Sequence, residues 1–169
     1  MIFKKKCSIC GAKNPQDARI CVSCDAPFEL KQTKNQDVAG DYDKVTHLNP
    51  QTAEAYYERG LAHRNQGQME RAIEDFDKAI RLNPGFAKAY SSRAHIFLNK
   101  QQYDRAVADC NKAISNDPND AIAYVNRGVA YKQQGNEAEA VANFEKAVTL
   151  SNNPQVIKMA EQQIEELSR

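Results

Sequence analysis

Residues 53–84 read A-E-A-Y-Y-E-R-G-L-A-H-R-N-Q-G-Q-M-E-R-A-I-E-D-F-D-K-A-I-R-L-N-P, and this stretch decides the fold because the chain repeats it. The pattern returns 34 residues later and again 34 residues after that. Seven columns keep the period: Pro50, Pro84 and Pro118; Tyr56, Tyr90 and Tyr124; Arg59, Arg93 and Arg127; Gly60, Ala94 and Gly128; Ala72, Ala106 and Ala140; Phe76, Cys110 and Phe144; Ala79, Ala113 and Ala147. Agreement of so many columns in one period predicts a tandem array of structural repeats.

Within each period the apolar residues are spaced as on one face of an α-helix. In the first repeat this spacing predicts a helix over about residues 53–66 and a second over about residues 69–82. Gly67 and Gly135 mark the turn between the two helices, where a left-handed residue is expected. Gln101 stands at the equivalent position, so the middle turn is expected either to be strained or to use another conformation.

The repeated columns resemble those of the tetratricopeptide repeat family, over residues 53–152. The resemblance implies a mainly α protein, an α–α superhelix of three repeats. An amphipathic stripe after Pro154 predicts a closing helix over residues 153–169, which shields the last repeat. Residues 31–52 are either a linker or a half-repeat that caps the front, because residues 36–48 end in phase with the later repeats.

The resemblance also implies a binding site. In the family, the first helix of each pair lines a concave groove that binds an extended or helical peptide. Carried over by position, the groove residues are Tyr57, Glu58, Leu61, Arg64, Lys88, Ser92, His95, Asn99, Ile122, Val125, Asn126, Val129 and Gln133. This set combines an apolar wall with amides and few charges, so we expect a protein or peptide partner with an apolar anchor.

Some members of the family capture the C-terminal carboxylate of a chaperone with a ring of Lys, Arg and Asn. Here Tyr57, Leu61 and Ile122 stand where that ring has its members. We therefore expect no carboxylate clamp and no tight binding of chaperone tails.

Four of the five cysteines fall in two close pairs near the N-terminus, Cys7-x-x-Cys10 and Cys21-x-x-Cys24. Two residues between thiolates let one turn aim both sulfurs at one ion, and a second pair completes the tetrahedron that Zn²⁺ prefers. Residues 1–30 resemble the short zinc-ribbon family, which implies a small β fold around a structural Zn²⁺ with no open coordination position. Iron or two disulfides are the alternatives.

Charge and composition narrow the function classes. The net charge is +1, but residues 1–34 carry a net +4 and leave −3 for the remainder. A basic ribbon keeps open an alternative role as a nucleic-acid-associated factor, although a basic patch alone is weak evidence and nucleic acid is an unlikely partner. No run of about 18 apolar residues is present, so we expect no membrane span and a cytoplasmic protein. No catalytic motif is found, and we expect no enzyme activity.

Three further features have structural interpretations. The recurring Arg59, Arg93 and Arg127 predict repeated ion pairs between paired helices, with Asp75 and Asp109 as partners. His63 falls in a packing column and is expected to be a core histidine. Cys110 replaces phenylalanine in its column and is expected to be a small buried hydrophobic residue.

Overall fold

The structure is a computed structural model that describes residues 51–168 in full, together with the backbone of residues 5–6 and 13–14. Between residues 51 and 168 it contains seven α-helices: α1 (Ala53–Asn65), α2 (Met69–Leu82), α3 (Ala87–Asn99), α4 (Tyr103–Asn116), α5 (Ala121–Gln133), α6 (Glu137–Leu150) and α7 (Pro154–Leu167). Each odd-numbered helix up to α5 packs against the helix that follows it, and α7 packs on α6. The predicted mainly α superhelix of three helix pairs and a closing helix is therefore confirmed.

The chain divides into two compact units, Met1–Asp37 and Val38–Arg169. The first unit contains an antiparallel pair of two-residue strands, β1 (Lys5–Lys6) and β2 (Lys13–Asn14), with Lys5 opposite Asn14 and Lys6 opposite Lys13. The zinc ribbon predicted over residues 1–30 and the half-repeat predicted at residues 36–48 otherwise lie outside the described residues.

Short-range hydrogen bonds explain where several helices begin and end. The Thr52 hydroxyl accepts a hydrogen bond of 3.1 Å from the Ala55 backbone N–H at the start of α1. The Asp120 carboxylate accepts one of 3.0 Å from the Ala123 N–H at the start of α5. Such side-chain caps satisfy backbone N–H groups that have no partner inside the helix.

The turn inside each helix pair requires a left-handed residue. Gly67 and Gly135 have φ angles of +75° and +79°, and Gln101 has a φ angle of +56°. The middle turn thus keeps the same conformation as its neighbours and holds a non-glycine residue in it. A residue with a Cβ atom is disfavoured in this region, which is the strain that the sequence suggested.

Small residues on the first helices let the paired helices approach closely. A Cβ atom on Gly60 would lie 2.7 Å from the ring of Phe76, and one on Gly128 would lie 2.8 Å from the ring of Phe144. In the middle repeat the first helix has Ala94, and the residue in the Phe column is Cys110. In the middle repeat, the larger Ala94 on the first helix is thus matched by the smaller Cys110 on the second helix. Cys110 is fully buried, as predicted.

The core is formed mainly by the alanine and phenylalanine columns of the repeat. The second helix of each repeat has two alanine positions that face the core, and all six residues are completely buried: Ala72, Ala79, Ala106, Ala113, Ala140 and Ala147. Larger side chains complete the core, and the largest fully buried ones include Phe76, Phe97, Phe144 and Ile96. Because each layer repeats, the first helices are placed side by side along one face.

The predicted ion pairs between paired helices are confirmed in the first two repeats. Arg59 donates from Nε (2.9 Å) and Nη2 (2.6 Å) to the two carboxylate oxygens of Asp75. Arg93 does the same with Asp109, at 2.7 Å and 2.6 Å. The buried His63 ring contacts Asp75 through Nδ1 at 2.9 Å, so His63 is a core residue as expected.

Candidate binding face on the first helices

The first helices α1, α3 and α5 are linked side by side. The Ser92 hydroxyl on α3 donates to the Tyr57 hydroxyl on α1 at 3.5 Å. The Asn126 amide on α5 donates to the Ser91 carbonyl on α3 at 3.1 Å. These two hydrogen bonds join each first helix to the first helix of the next repeat.

Eleven of the thirteen predicted groove residues keep solvent-accessible surface. Glu58, Lys88, His95, Asn99, Ile122 and Gln133 are exposed, and Tyr57, Leu61, Arg64, Ser92 and Val129 are half-buried. We call these eleven residues the first-helix face. Ile122 is the most exposed large apolar side chain in this set, at 44% of its surface. An exposed isoleucine among amides and charged groups can serve as an apolar contact for a partner.

Val125 and Asn126 are corrections to the predicted groove. Val125 retains 3% of its surface and packs in an apolar cluster with Phe144 and Val156. Asn126 retains 5%, and its amide is committed to the Ser91 carbonyl. Both side chains are buried in the packing of the helices and leave almost no surface for a ligand.

Tyr57 and Leu61 pack against the core and also keep accessible surface on the first-helix face. The Tyr57 ring lies 5.7 Å from that of Phe76 and 5.0 Å from that of Phe86, between centroids. Leu61 packs against the same buried cluster. Their remaining surface forms an apolar floor at the first-repeat end of the first-helix face.

Arg64 places positive charge on this face, close to the ring of His95. Partial enclosure of the His95 ring and the nearby charge of Arg64 both lower the pKa of His95, in that order of size, although the ring keeps accessible surface. His95 is therefore mainly neutral near pH 7, with a ring nitrogen available as an acceptor. Glu58 supplies an exposed carboxylate on α1, six residues before Arg64.

The closing helix contributes residues that the sequence analysis did not assign to this region. Lys132 on α5 donates to Gln163 at 3.0 Å and to Glu166 at 2.7 Å, both on α7. Val129 packs against the cluster that includes Ile164 and Leu167 of α7. The spacing of 34 residues between Lys132 and Glu166 is the signal that could have indicated this contact, because it continues the repeat period. The helix α7 thus borders the third-repeat end of the first-helix face.

The predicted metal ligands Cys7, Cys10, Cys21 and Cys24 lie outside the described residues. Among the residues that are described, no group of three or more His, Cys, Asp or Glu side chains is arranged to hold a metal ion. In the same part of the chain, no helix is long and apolar enough to cross a bilayer.

The repeats identify the family. Residues 53–86 and 121–154 match the tetratricopeptide repeat family, and two further descriptions of the same repeat match residues 94–135 and 76–108. None of the curated proteins matches the chain. The solved TPR domain of Arabidopsis OM64 is 31% identical, with a TM-score of 0.63, over 68% of this chain and 95% of that domain. The chain therefore belongs to the tetratricopeptide repeat family.

Two other similar structures were solved with bound partners. The TPR2B domain of yeast Sti1, in its complex with pHsp70, is 28% identical, with a TM-score of 0.65, over 69% of this chain and 95% of that one. The second TPR domain of human RPAP3, in complex with the HSP70 peptide SGPTIEEVD, is 29% identical, with a TM-score of 0.62 and the same two coverages. Domains of this architecture therefore include peptide-binding modules.

Proposed function

We propose that this protein is a protein-interaction adaptor that binds a partner peptide or protein segment on the first-helix face. The observation that supports this proposal is that eleven of the predicted groove residues keep accessible surface on three first helices, in a fold shared with domains solved with bound partners. A surface on helices that are already packed together is preorganised, which lowers the entropic cost of association. The role is one of binding and not of catalysis.

The chemistry of the face favours an extended segment with a central apolar residue. Ile122 and Leu61 offer apolar contact, and Asn99 and Gln133 offer amides that can hydrogen-bond a peptide backbone. Arg64 and Glu58 carry opposite charges and would fix the direction of the segment through complementary side chains.

A random-peptide display library panned on the full chain tests this proposal. Selected peptides are then measured by fluorescence anisotropy on two double variants. In Ile122→Glu/His95→Glu both changes fall on the first-helix face, and in Ala108→Glu/Ser115→Glu both fall on exposed positions of α4 with a similar change in charge. We expect the first variant to lose at least about tenfold in affinity, about 1.4 kcal/mol, and the second to bind as the parent does.

Equal loss in both variants, or in neither, would contradict the assignment of the face. Failure of the library to yield any specific peptide would count against peptide binding itself.

Chaperone tails are predicted not to be the ligand. Tyr57, Leu61 and Ile122 occupy positions where the family's carboxylate-binding ring has cationic or amide side chains, so a C-terminal carboxylate would find no ion pair there. The peptide SGPTIEEVD is a direct probe, because it is the one bound in the RPAP3 complex. A dissociation constant in the micromolar range for this peptide would show the prediction to be wrong.

A structural zinc ribbon at residues 1–30 is the proposed second contact module. The ligand set would be Cys7, Cys10, Cys21 and Cys24, and a β pair flanks the first two cysteines in sequence, which supports a knuckle there. Four thiolates would hold the ion by their own charge and leave no position for chemistry. Native mass spectrometry should find one zinc per chain, lost in Cys10→Ser with Cys110→Ser as the control. An equal metal content in both variants would contradict this ligand set.

A further inference from the structure

The three repeated arginines do not have the same partners, and the difference points to a second binding site. Each arginine on a first helix reaches a residue 16 positions later, on the second helix of its own repeat. Arg93 and Arg127 also reach a residue 16 positions earlier, on the second helix of the preceding repeat. Each of these two guanidinium groups therefore lies between two second helices.

Arg93 finds carboxylates on both sides. It donates two hydrogen bonds to Asp109 on α4 and one, through Nη1, to Asp77 on α2. Burial by itself would lower the pKa of Arg93, but the hydrogen bonds and charges of Asp109 and Asp77 outweigh that effect and raise it. The positive charge of this arginine is thus fully balanced inside the fold.

Arg127 occupies the same place one repeat later and finds amides instead. Its Nε donates to the Asn143 amide oxygen on α6 at 2.8 Å, and its Nη1 donates to the Asn111 amide oxygen on α4 at 2.7 Å. No carboxylate pairs with it among residues 51–168. In this part of the chain, the half-buried guanidinium between α4 and α6 is therefore hydrogen-bonded to amides and paired with no carboxylate.

The neighbouring aromatic ring does not replace the missing carboxylates. Arg127 lies 5.4 Å from the ring centre of Tyr124, but Arg93 lies at a similar 5.7 Å from Tyr90 and has its carboxylates as well. One N–H of the Asn143 amide donates to the Glu139 carbonyl at 2.7 Å. Within the described part of the chain, the donors beside this guanidinium that have no hydrogen bond include Arg127 Nη2 and the amide nitrogen of the exposed Asn111.

We propose that Arg127 and Asn111 bind a carboxylate group of a partner protein, an Asp or Glu side chain, between α4 and α6. The two oxygens of a carboxylate can accept hydrogen bonds from a guanidinium and from an adjacent amide N–H at the same time. The carboxylate would supply from outside the charge that Asp77 and Asp109 supply to Arg93 from within. Asn111 and Asn143 belong to second helices, and neither residue is part of the first-helix face.

Acetate is the probe for the test, and Arg93 is an internal control. Nitrogen-15 NMR of the full chain follows the Nε–Hε signals of both arginines while sodium acetate replaces sodium chloride at constant ionic strength. We expect a saturable shift at Arg127 that is several-fold larger than the shift at Arg93, whose donors are occupied.

Two matched variants complete the design. Asn111→Asp adds a carboxylate like that of Asp77 and is expected to abolish the acetate response of Arg127 while raising the midpoint of thermal unfolding. Ser115→Asp makes the same charge change at another exposed position of α4 and is expected to keep the response. Similar shifts at Arg93 and Arg127, an undiminished response in Asn111→Asp, or no dependence on replacing chloride with acetate would each overturn the proposal.

Discussion

The sizes of Ala94 and Cys110 are matched, and the structure allows the cost in stability of breaking this match to be worked out. In the outer repeats, a ring carbon of Phe76 or Phe144 lies 2.7 Å or 2.8 Å from the place where a glycine Cβ would be. Introducing Phe at position 110 opposite Ala94 recreates this overlap. Overpacking of a close-packed core costs about 1–3 kcal/mol, so we expect Cys110→Phe to be destabilising by about 2 kcal/mol.

The reverse change on the facing helix is also expected to be destabilising on its own. Ala94→Gly places glycine in a helix interior, which costs about 1 kcal/mol, and removes a buried methyl group worth about 0.8 kcal/mol. Together the two changes restore the glycine–phenylalanine pair of the neighbouring repeats. We therefore expect the double variant to lie within about 1 kcal/mol of the parent, with a favourable coupling energy of about 2 kcal/mol or more.

Urea unfolding and thermal unfolding, each followed by circular dichroism, are measured for all four proteins of this cycle. The coupling energy should appear as a midpoint of thermal unfolding roughly 6 °C above the additive expectation, at about 3 °C for each kcal/mol. If the double variant is as unstable as the sum of the single changes, within about 0.5 kcal/mol, the size-matching explanation is wrong.

Three further predictions follow from single contacts. Gln101→Gly relieves a left-handed residue and should stabilise the fold by about 1 kcal/mol in urea unfolding, and a loss of stability would contradict the strain argument. Asp75→Ala removes a carboxylate that is only 4% exposed and leaves Arg59 and His63 without it, so we expect a loss of about 3 kcal/mol in unfolding free energy. Asn143→Ala removes a partner of Arg127 but no ion pair, so its loss should be clearly smaller. Equal losses in the two variants would count against the ion pair. Burial, and to a lesser extent the charge of Asp109, raises the pKa of the Cys110 thiol to about 12, so the reactive thiolate is scarce at pH 8. Peptide mass spectrometry should therefore find Cys110 unlabelled by iodoacetamide until the helices unfold. Rapid labelling of the native protein would contradict this.

The half-repeat hypothesis at residues 36–48 has its own test in the arginine contacts. Arg93 and Arg127 each reach a residue 16 positions earlier, and the same offset from Arg59 gives Asp43 in the sequence. If these residues cap the front of the array, Asp43→Asn should lower the midpoint of unfolding of α1 and α2, as Asp77→Asn should for the second repeat. An effect of Asp77→Asn alone would favour a plain linker.

Much of the fold was predictable because its physical cause is local and periodic. The helix ends, the Pro and Gly positions and the arginine ion pairs depend on spacings within one repeat. The period of 34 residues therefore carries them directly in the sequence. The structure changed the predicted bounds of α1 by one residue, at Asn65, which is within the usual uncertainty of a helix end.

The burial of Val125 and Asn126 was not predictable from the columns alone. The column of Tyr57 contains Ser91 in the second repeat and Val125 in the third, and their burial depends on which residues the next repeat presents. Asn126 is buried because its amide reaches the Ser91 carbonyl, and Val125 because α6 and α7 close over it. Contacts of this kind depend on the residue on both sides, so a single column cannot predict them.

For the same reason, the second partner of each of Arg93 and Arg127 was not predictable from the columns. The ion-pair pattern was read from Asp75 and Asp109, and the second link to the preceding repeat was missed, although the sequence holds Asp77 and Asn111 at the required offset. Recognising it requires knowing that second helices of adjacent repeats face the same guanidinium, which only the packed array reveals.

Binding of partners on the first-helix face is tested most directly by chemical-shift mapping with a display-selected peptide. Nitrogen-15 spectra of the full chain, recorded with and without the peptide, report each backbone amide separately. We predict the largest changes at and beside Glu58, His95, Asn99, Ile122 and Gln133, with α4 and α6 nearly unchanged. A peptide that binds but shifts mainly the amides of the second helices would contradict the claim.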